Sequence, residues 1–168
     1  GKVRLHSPPI ENTGRTSRAG DRRQTNTPFL GDAMNKTFLT AVAMAAIAST
    51  AAIAQDYTLN PTYGTHSLNA GFLPDPAELQ ITAGGMVDAS NVGCAGAIAN
   101  APDARLMWGG GEMTIGANSN ADTTLVVNGP DGEWYCSDDV NGLNPAIRFG
   151  EAGQYDIWVG VYEGTNAP

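Results

Sequence analysis

Gln154-Tyr155-Asp156-Ile157-Trp158-Val159-Gly160-Val161-Tyr162 is the stretch that sets the fold class. Tyr155, Ile157, Val159 and Val161 alternate with Asp156, Trp158, Gly160 and Tyr162, the two-residue period of a strand with one face toward a core. Working outward, Ala146 to Phe149 is a shorter strand with Ile147 and Phe149 inward and Arg148 outward. Thr123 to Asn128 runs into Pro130-Asp131-Gly132, where proline presets φ and glycine accepts a positive one, so Glu133 to Cys136 reads as the return arm. Leu79 to Thr82 alternates and then meets Gly84-Gly85. Ala104 to Trp108 and Glu112 to Gly116 flank Gly109-Gly110-Gly111, which predicts a hairpin with Met113 and Ile115 on one face. No segment has the i, i+3, i+4 apolar spacing of a helix. About seven short strands with turns every 8 to 12 residues predict an all-β antiparallel sandwich.

An export signal is expected inside the chain. Met34-Asn35-Lys36 is a short basic start, Thr37 to Ala48 is apolar, and Ala52-Ile53-Ala54 has the small-x-small form that signal peptidase cuts. A membrane anchor fits less well, because a span wants about 20 strongly apolar residues. This one is alanine-rich, carries Thr37, Thr40, Ser49 and Thr50, and is followed by Gln55-Asp56, not by a basic cluster. The expected location is periplasmic or extracellular. Residues 1–33 hold six basic and three acidic side chains among prolines and polar residues without periodicity, and read as disordered translated upstream sequence. Residues 34–54 are then the signal, 55–78 a polar lead-in, and 79–168 the sandwich.

From Gln55 onward the chain keeps two basic residues, Arg105 and Arg148, against fourteen acidic ones, a net charge of −12. That charge repels nucleic acids and anionic membranes and favours cations. One small domain with one core fits this length. Cys94 and Cys136, both in this part, predict a single disulfide in an oxidising compartment.

The order of motifs over residues 118–162 resembles the bacterial pre-peptidase C-terminal domain. The resemblance is carried by Asp122-Thr123-Thr124-Leu125, Pro130-Asp131-Gly132, Asp138-Asp139 with Gly142-Leu143-Asn144, Ile147-Arg148-Phe149, and Gly153-Gln154-Tyr155-Asp156-Ile157-Trp158-Val159. It implies a jelly-roll-like sandwich, exported, serving secreted peptidases as a non-catalytic accessory module. Calcium and extracellular polymers such as collagen are the ligands it implies. The family pattern would supply one more strand after Thr165-Asn166-Ala167-Pro168, leaving the jelly roll without its last strand and with an open sheet edge.

Catalytic chemistry finds little footing in these residues. His66 is the one histidine beyond the signal, and Ser67 is its immediate neighbour; catalytic groups normally converge from separate segments. No Gly-x-Ser-x-Gly occurs, and adjacent carboxylates such as Asp138-Asp139 point apart on a strand. The expected functions are therefore two. One is a non-catalytic exported domain for binding, adhesion or structure; the other is an accessory module acting with a separate secreted peptidase.

Asp122, Asp131, Asp138, Asp139, Asn141 and Asn144 offer hard oxygen ligands on turn-rich sequence, the chemistry of calcium, which takes 6 to 8 oxygens. An EF-hand is excluded by register: with Gly142 as the loop glycine, Arg148 would fall where the bidentate glutamate belongs. Trp158, out of phase with Tyr155, Ile157 and Val159, is expected with Tyr162 on the opposite sheet face, where aromatic rings can stack on a polymer.

Overall fold

The computed structural model describes residues 1–8, 55–164 and 166–167; the expected signal at 34–54 and its cleavage site lie outside the described residues. In chain order the strands are β1 (Lys2–His6), β2 (Thr65–Leu68), β3 (Ala77–Gln80), β4 (Ala83–Gly84), β5 (Val87–Asp88), β6 (Ala97–Ile98), β7 (Ala104–Trp108), β8 (Met113–Asn118), β9 (Thr123–Asn128), β10 (Trp134–Ser137), β11 (Ala146–Phe149), β12 (Gly153–Val161) and β13 (Asn166–Ala167). A single 3₁₀ turn, Ala89–Val92, stands among them. The described residues are all-β, and none of their helices is long and apolar enough to cross a membrane.

Two sheets face each other in a sandwich-like arrangement. One has the order β11-β8-β1-β3; the other runs β10-β9-β12-β6-β5, with β7 also on β12 and β2 parallel to β7. Between them lies the main core, with Val3, Leu5, Met113 and Ile115 from the first sheet. Leu106, Leu125, Val127, Tyr155, Ile157 and Val159 face them from the second.

The strand that decided the fold is buried on both faces. Asp156, Trp158 and Gly160 are as deeply covered as their alternate neighbours. A second cluster explains this: Ala89, Cys94, Ile98, Val126 and Trp158 pack behind the second sheet, under the segment that holds the 3₁₀ turn. The disulfide Cys94–Cys136 ties that segment to β10, with Cα atoms 5.4 Å apart. A single alternating strand thus serves two cores, which is how a central strand differs from a half-exposed one.

The glycine run does not form the expected hairpin. β7 pairs with β12 and β2, whereas β8 pairs with β1 and β11, so Gly109-Gly110-Gly111 carries the chain from one sheet to the other. Trp108 and Met113, on either side of it, are both buried, and Trp108 Nε1 donates to the Gly111 carbonyl at 2.9 Å. Gly110 and Gly111 sit at φ 102° and 92°, conformations that side chains resist.

The N-terminal and lead-in segments also depart from expectation. Lys2–His6, expected to be disordered, is a strand in the interior of the first sheet, antiparallel to β8 and β3, with Val3 and Leu5 in the core. Basic residues at 2, 4 and 6 alternate with apolar ones at 3 and 5, a two-residue period too short to stand out beside the following polar run. The lead-in contributes β2 and the start of β3. It is held by Arg105, whose Nε meets Asp156 at 2.6 Å and whose terminal nitrogen donates to the Tyr57 and Leu59 carbonyls. Asp156 is completed by Gln154 Nε2 at 2.7 Å. Asp156 is buried and Arg105 partly so, and losing the arginine would strand the carboxylate's charge.

Candidate metal centre

The β9–β10 hairpin builds the candidate site. Its register pairs Asn128 with Trp134 and Leu125 with Ser137 across the Pro130-Asp131-Gly132 turn. Gly129 N–H donates to the Glu133 carbonyl, and Gly132 takes φ 81°. Extending this pairing beyond the strands brings Asp122, just before β9, beside Asp138 and Asp139, just after β10. One carboxylate oxygen from each of these three lies within 4.8 Å of the others.

Asp122 and Asp138 are partly buried and Asp139 is exposed. Asp122 Oδ1 and Asp138 Oδ1 are shielded from solvent and have no hydrogen-bond partner. Burial pushes the Asp138 carboxyl above its ordinary range, and the charges of Asp139 and Asp122 push it the same way. Three carboxylates converge here without a compensating lysine or arginine close enough to form an ion pair among the described residues. A hard divalent cation would relieve both the repulsion and the two orphaned oxygens.

The other three expected ligands are placed differently. Asp131 lies at the opposite end of the hairpin, roughly 20–30 Å from Asp122 at about 3.3 Å per residue. There its carboxylate accepts from the Tyr135 hydroxyl and from the Glu133 N–H, which hold it below the usual carboxylate range and push Tyr135 up to about 12. It is a turn former and leaves the ligand set. Asn144 Oδ1 accepts from the Ser119 N–H at 2.8 Å, pinning the loop to the end of β8. Asn141 N–H donates to the Asn144 carbonyl at 3.0 Å and closes the loop's own turn. The asparagines shape the loop that presents Asp138 and Asp139.

Trp158 corrects a further expectation. It does lie on the face opposite Tyr155 and Ile157, but it is 0% exposed, packed in the second cluster with its ring tilted 45° against that of Trp134, centroids 5.3 Å apart. A polymer cannot reach it. Tyr162 is 51% exposed and lines an open groove with Met86, Asp88 and the backbone of Gly85 and Gly96.

His66 Nε2 lies 3.0 Å from the Tyr63 carbonyl, on β2. Sequence reasoning missed one polar group of consequence. Asp103 is 2% exposed, immediately before β7, and accepts the Val159 N–H at 2.7 Å. β12 leaves β7 at the Ile157–Ala104 pair and meets β6 only at Val161, so this carboxyl satisfies an amide that the ladder leaves over. Burial pushes Asp103 up to about 7, with the Val159 amide opposing. Its only sequence signal was an aspartate directly ahead of an apolar strand.

No family model, characterised protein or solved structure matches this chain.

Proposed function

We propose that this chain is an exported, non-catalytic β-sandwich domain with a binding, adhesion or structural role, stabilised by calcium at the Asp122–Asp138–Asp139 end of the β9–β10 hairpin. The observation that carries the reading is the convergence of those carboxylates, two of them with a buried, unpartnered oxygen. Oxygen-only donors on an irregular loop suit calcium better than zinc, which prefers nitrogen and sulfur, or magnesium, which demands a near-ideal octahedron. The Cys94–Cys136 disulfide is compatible with an oxidising destination, and the acidic balance from Gln55 onward favours cationic ligands.

Calcium bound only to the folded state raises stability by about 2.7 kcal/mol at a hundred times its dissociation constant. The test is thermal melting of the full chain in excess calcium and in excess chelator. A higher melting temperature with calcium, absent in the Asp138→Asn, Asp139→Asn double variant, is expected. Superimposable curves for the parent protein would end the proposal.

A further inference from the structure

The interior position of β1 raises a question of connectivity. Fifty-eight residues separate His6 from Thr65, and the expected signal and its cleavage site fall between them. If the expected cut is made, residues 1–54 are removed with the signal and the slot is left open; in this structure β1 holds it by non-covalent bonds. Those bonds are numerous and directional. β1 is paired along both edges, Lys2–His6 against Thr114–Asn118 of β8 and Lys2–Leu5 against Ala77–Gln80 of β3. Gly1 and Ile81 exchange backbone hydrogen bonds at 3.0 Å, and Ser7 Oγ donates to the Glu112 carbonyl at 3.2 Å.

Side chains read the strand as well as its backbone. Val3 and Leu5 enter the main core. On the outer face Lys2 Nζ and Arg4 Nε reach Glu78 at 3.2 and 2.8 Å, and His6 Nδ1 reaches Asp75 at 2.6 Å. The slot therefore selects apolar residues at one parity and basic residues at the other. A cavity of about 100 Å³ remains beside Val3 and Leu5, bounded by Leu68, Leu79, Leu106 and Ile157. Larger apolar side chains than valine would fill it, so residues 2–6 do not exhaust what the slot can hold.

We propose that the slot between β3 and β8 is a strand-acceptor site, taking from a partner polypeptide an extended segment of alternating apolar and basic residues, antiparallel to both neighbours. The inference rests on the reading of this domain as an exported binding module and specifies its partner's chemistry. Strand addition draws affinity from main-chain hydrogen bonds and specificity from pockets for alternate side chains, and here both edges of the incoming strand are satisfied. Electrostatics favour the same partner, since the chain from Gln55 onward carries net −12.

The test uses the full chain with a site-specific protease sequence inserted within residues 9–54. After cutting, a fluorescent peptide of sequence Gly-Lys-Val-Arg-Leu-His-Ser, residues 1–7, is the probe, and its exchange into the body is followed by anisotropy and size exclusion. The N-terminal fragment should co-elute with the body and be displaced by excess probe. A probe with Val3→Asp and Leu5→Asp should bind at least a hundredfold more weakly. Glu78→Lys in the body should weaken the basic probe at least tenfold and favour one with Lys2→Glu and Arg4→Glu. Release of the fragment on cutting, with the body folded or unfolded, overturns the proposal, as does binding indifferent to Val3 and Leu5. A dimer formed in place of peptide exchange would assign the slot to residues 2–6 of a second copy and overturn it too. Calcium titration of the same cut protein reads the metal proposal separately.

Discussion

Replacing Asp103 by asparagine should make the protein more stable at neutral pH and remove much of its pH dependence. The carboxyl is buried and serves as acceptor for the Val159 N–H, a role the asparagine carbonyl can also fill. Ionisation is what burial penalises: Asp103 is pushed up to about 7 in the fold, against about 3.9 in an unfolded chain. Between those values the folded state binds more protons than the unfolded one, so stability falls as pH rises through this window and levels off above it. Three units at 1.36 kcal/mol each set an upper bound of about 4 kcal/mol. For a domain of this size, that corresponds to a melting shift on the order of 10 °C. Urea or thermal melts of parent and Asp103→Asn between pH 4 and pH 8, in chelator, supply the comparison. The curves should diverge with rising pH, the variant lying higher at pH 8 and level with the parent near pH 4. Parallel profiles, or a variant weaker at every pH, would refute the reasoning.

Four more expectations concern other parts of the fold. Paired substitution Cys94→Ser, Cys136→Ser should cost about 4 kcal/mol by the loop-entropy model, measured as a drop in denaturant midpoint; the bridge spans a sequence separation of 42. Trp158→Ala should cost about 3–5 kcal/mol through the cavity it opens beside Trp134 and the disulfide, read by chemical denaturation. Gly85→Ala should destabilise the β4–β5 region, because its Cβ would come within 2.2 Å of the Ile98 carbonyl oxygen; hydrogen exchange at Ile98 and Ala99 would register it. Calcium affinity should decline as pH falls through the raised Asp138 pKa, since protons compete for that carboxyl, and titrations across pH 4–7 would reveal the trend.

The sequence made individual strands legible where alternation was long or a turn was explicit. Ala104–Trp108, Thr123–Asn128 and Ala146–Phe149 have the expected bounds, and the Pro130-Asp131-Gly132 turn sets a hairpin whose register follows from its centre. That same register carries Asp122 to Asp138 and Asp139, so half of the candidate ligand set could be read ahead of the structure. Asp131 does not join that cluster, because residues at a turn and residues at the far end of the same hairpin are close in sequence but far apart in space. Strand partners were harder to read. A glycine run permits both a hairpin and a crossing between sheets, and only the burial of Trp108 and Met113 from opposite sheets decides between them. Trp158 showed its face but not its cover, because the Ala89–Val92 turn and its disulfide pack there through tertiary contacts that strand periodicity does not encode. The strand at Lys2–His6 owes its stability to two remote neighbours, β3 and β8, and local propensity is silent on such pairings.

Isothermal titration of calcium into the chelator-treated full chain puts the metal centre under the most direct scrutiny. One saturable site should appear for the parent protein and vanish in the Asp138→Asn, Asp139→Asn variant while the disulfide and far-ultraviolet strand signal persist. Heat of binding unchanged in that variant, or none in the parent, would contradict a cation seated among Asp122, Asp138 and Asp139.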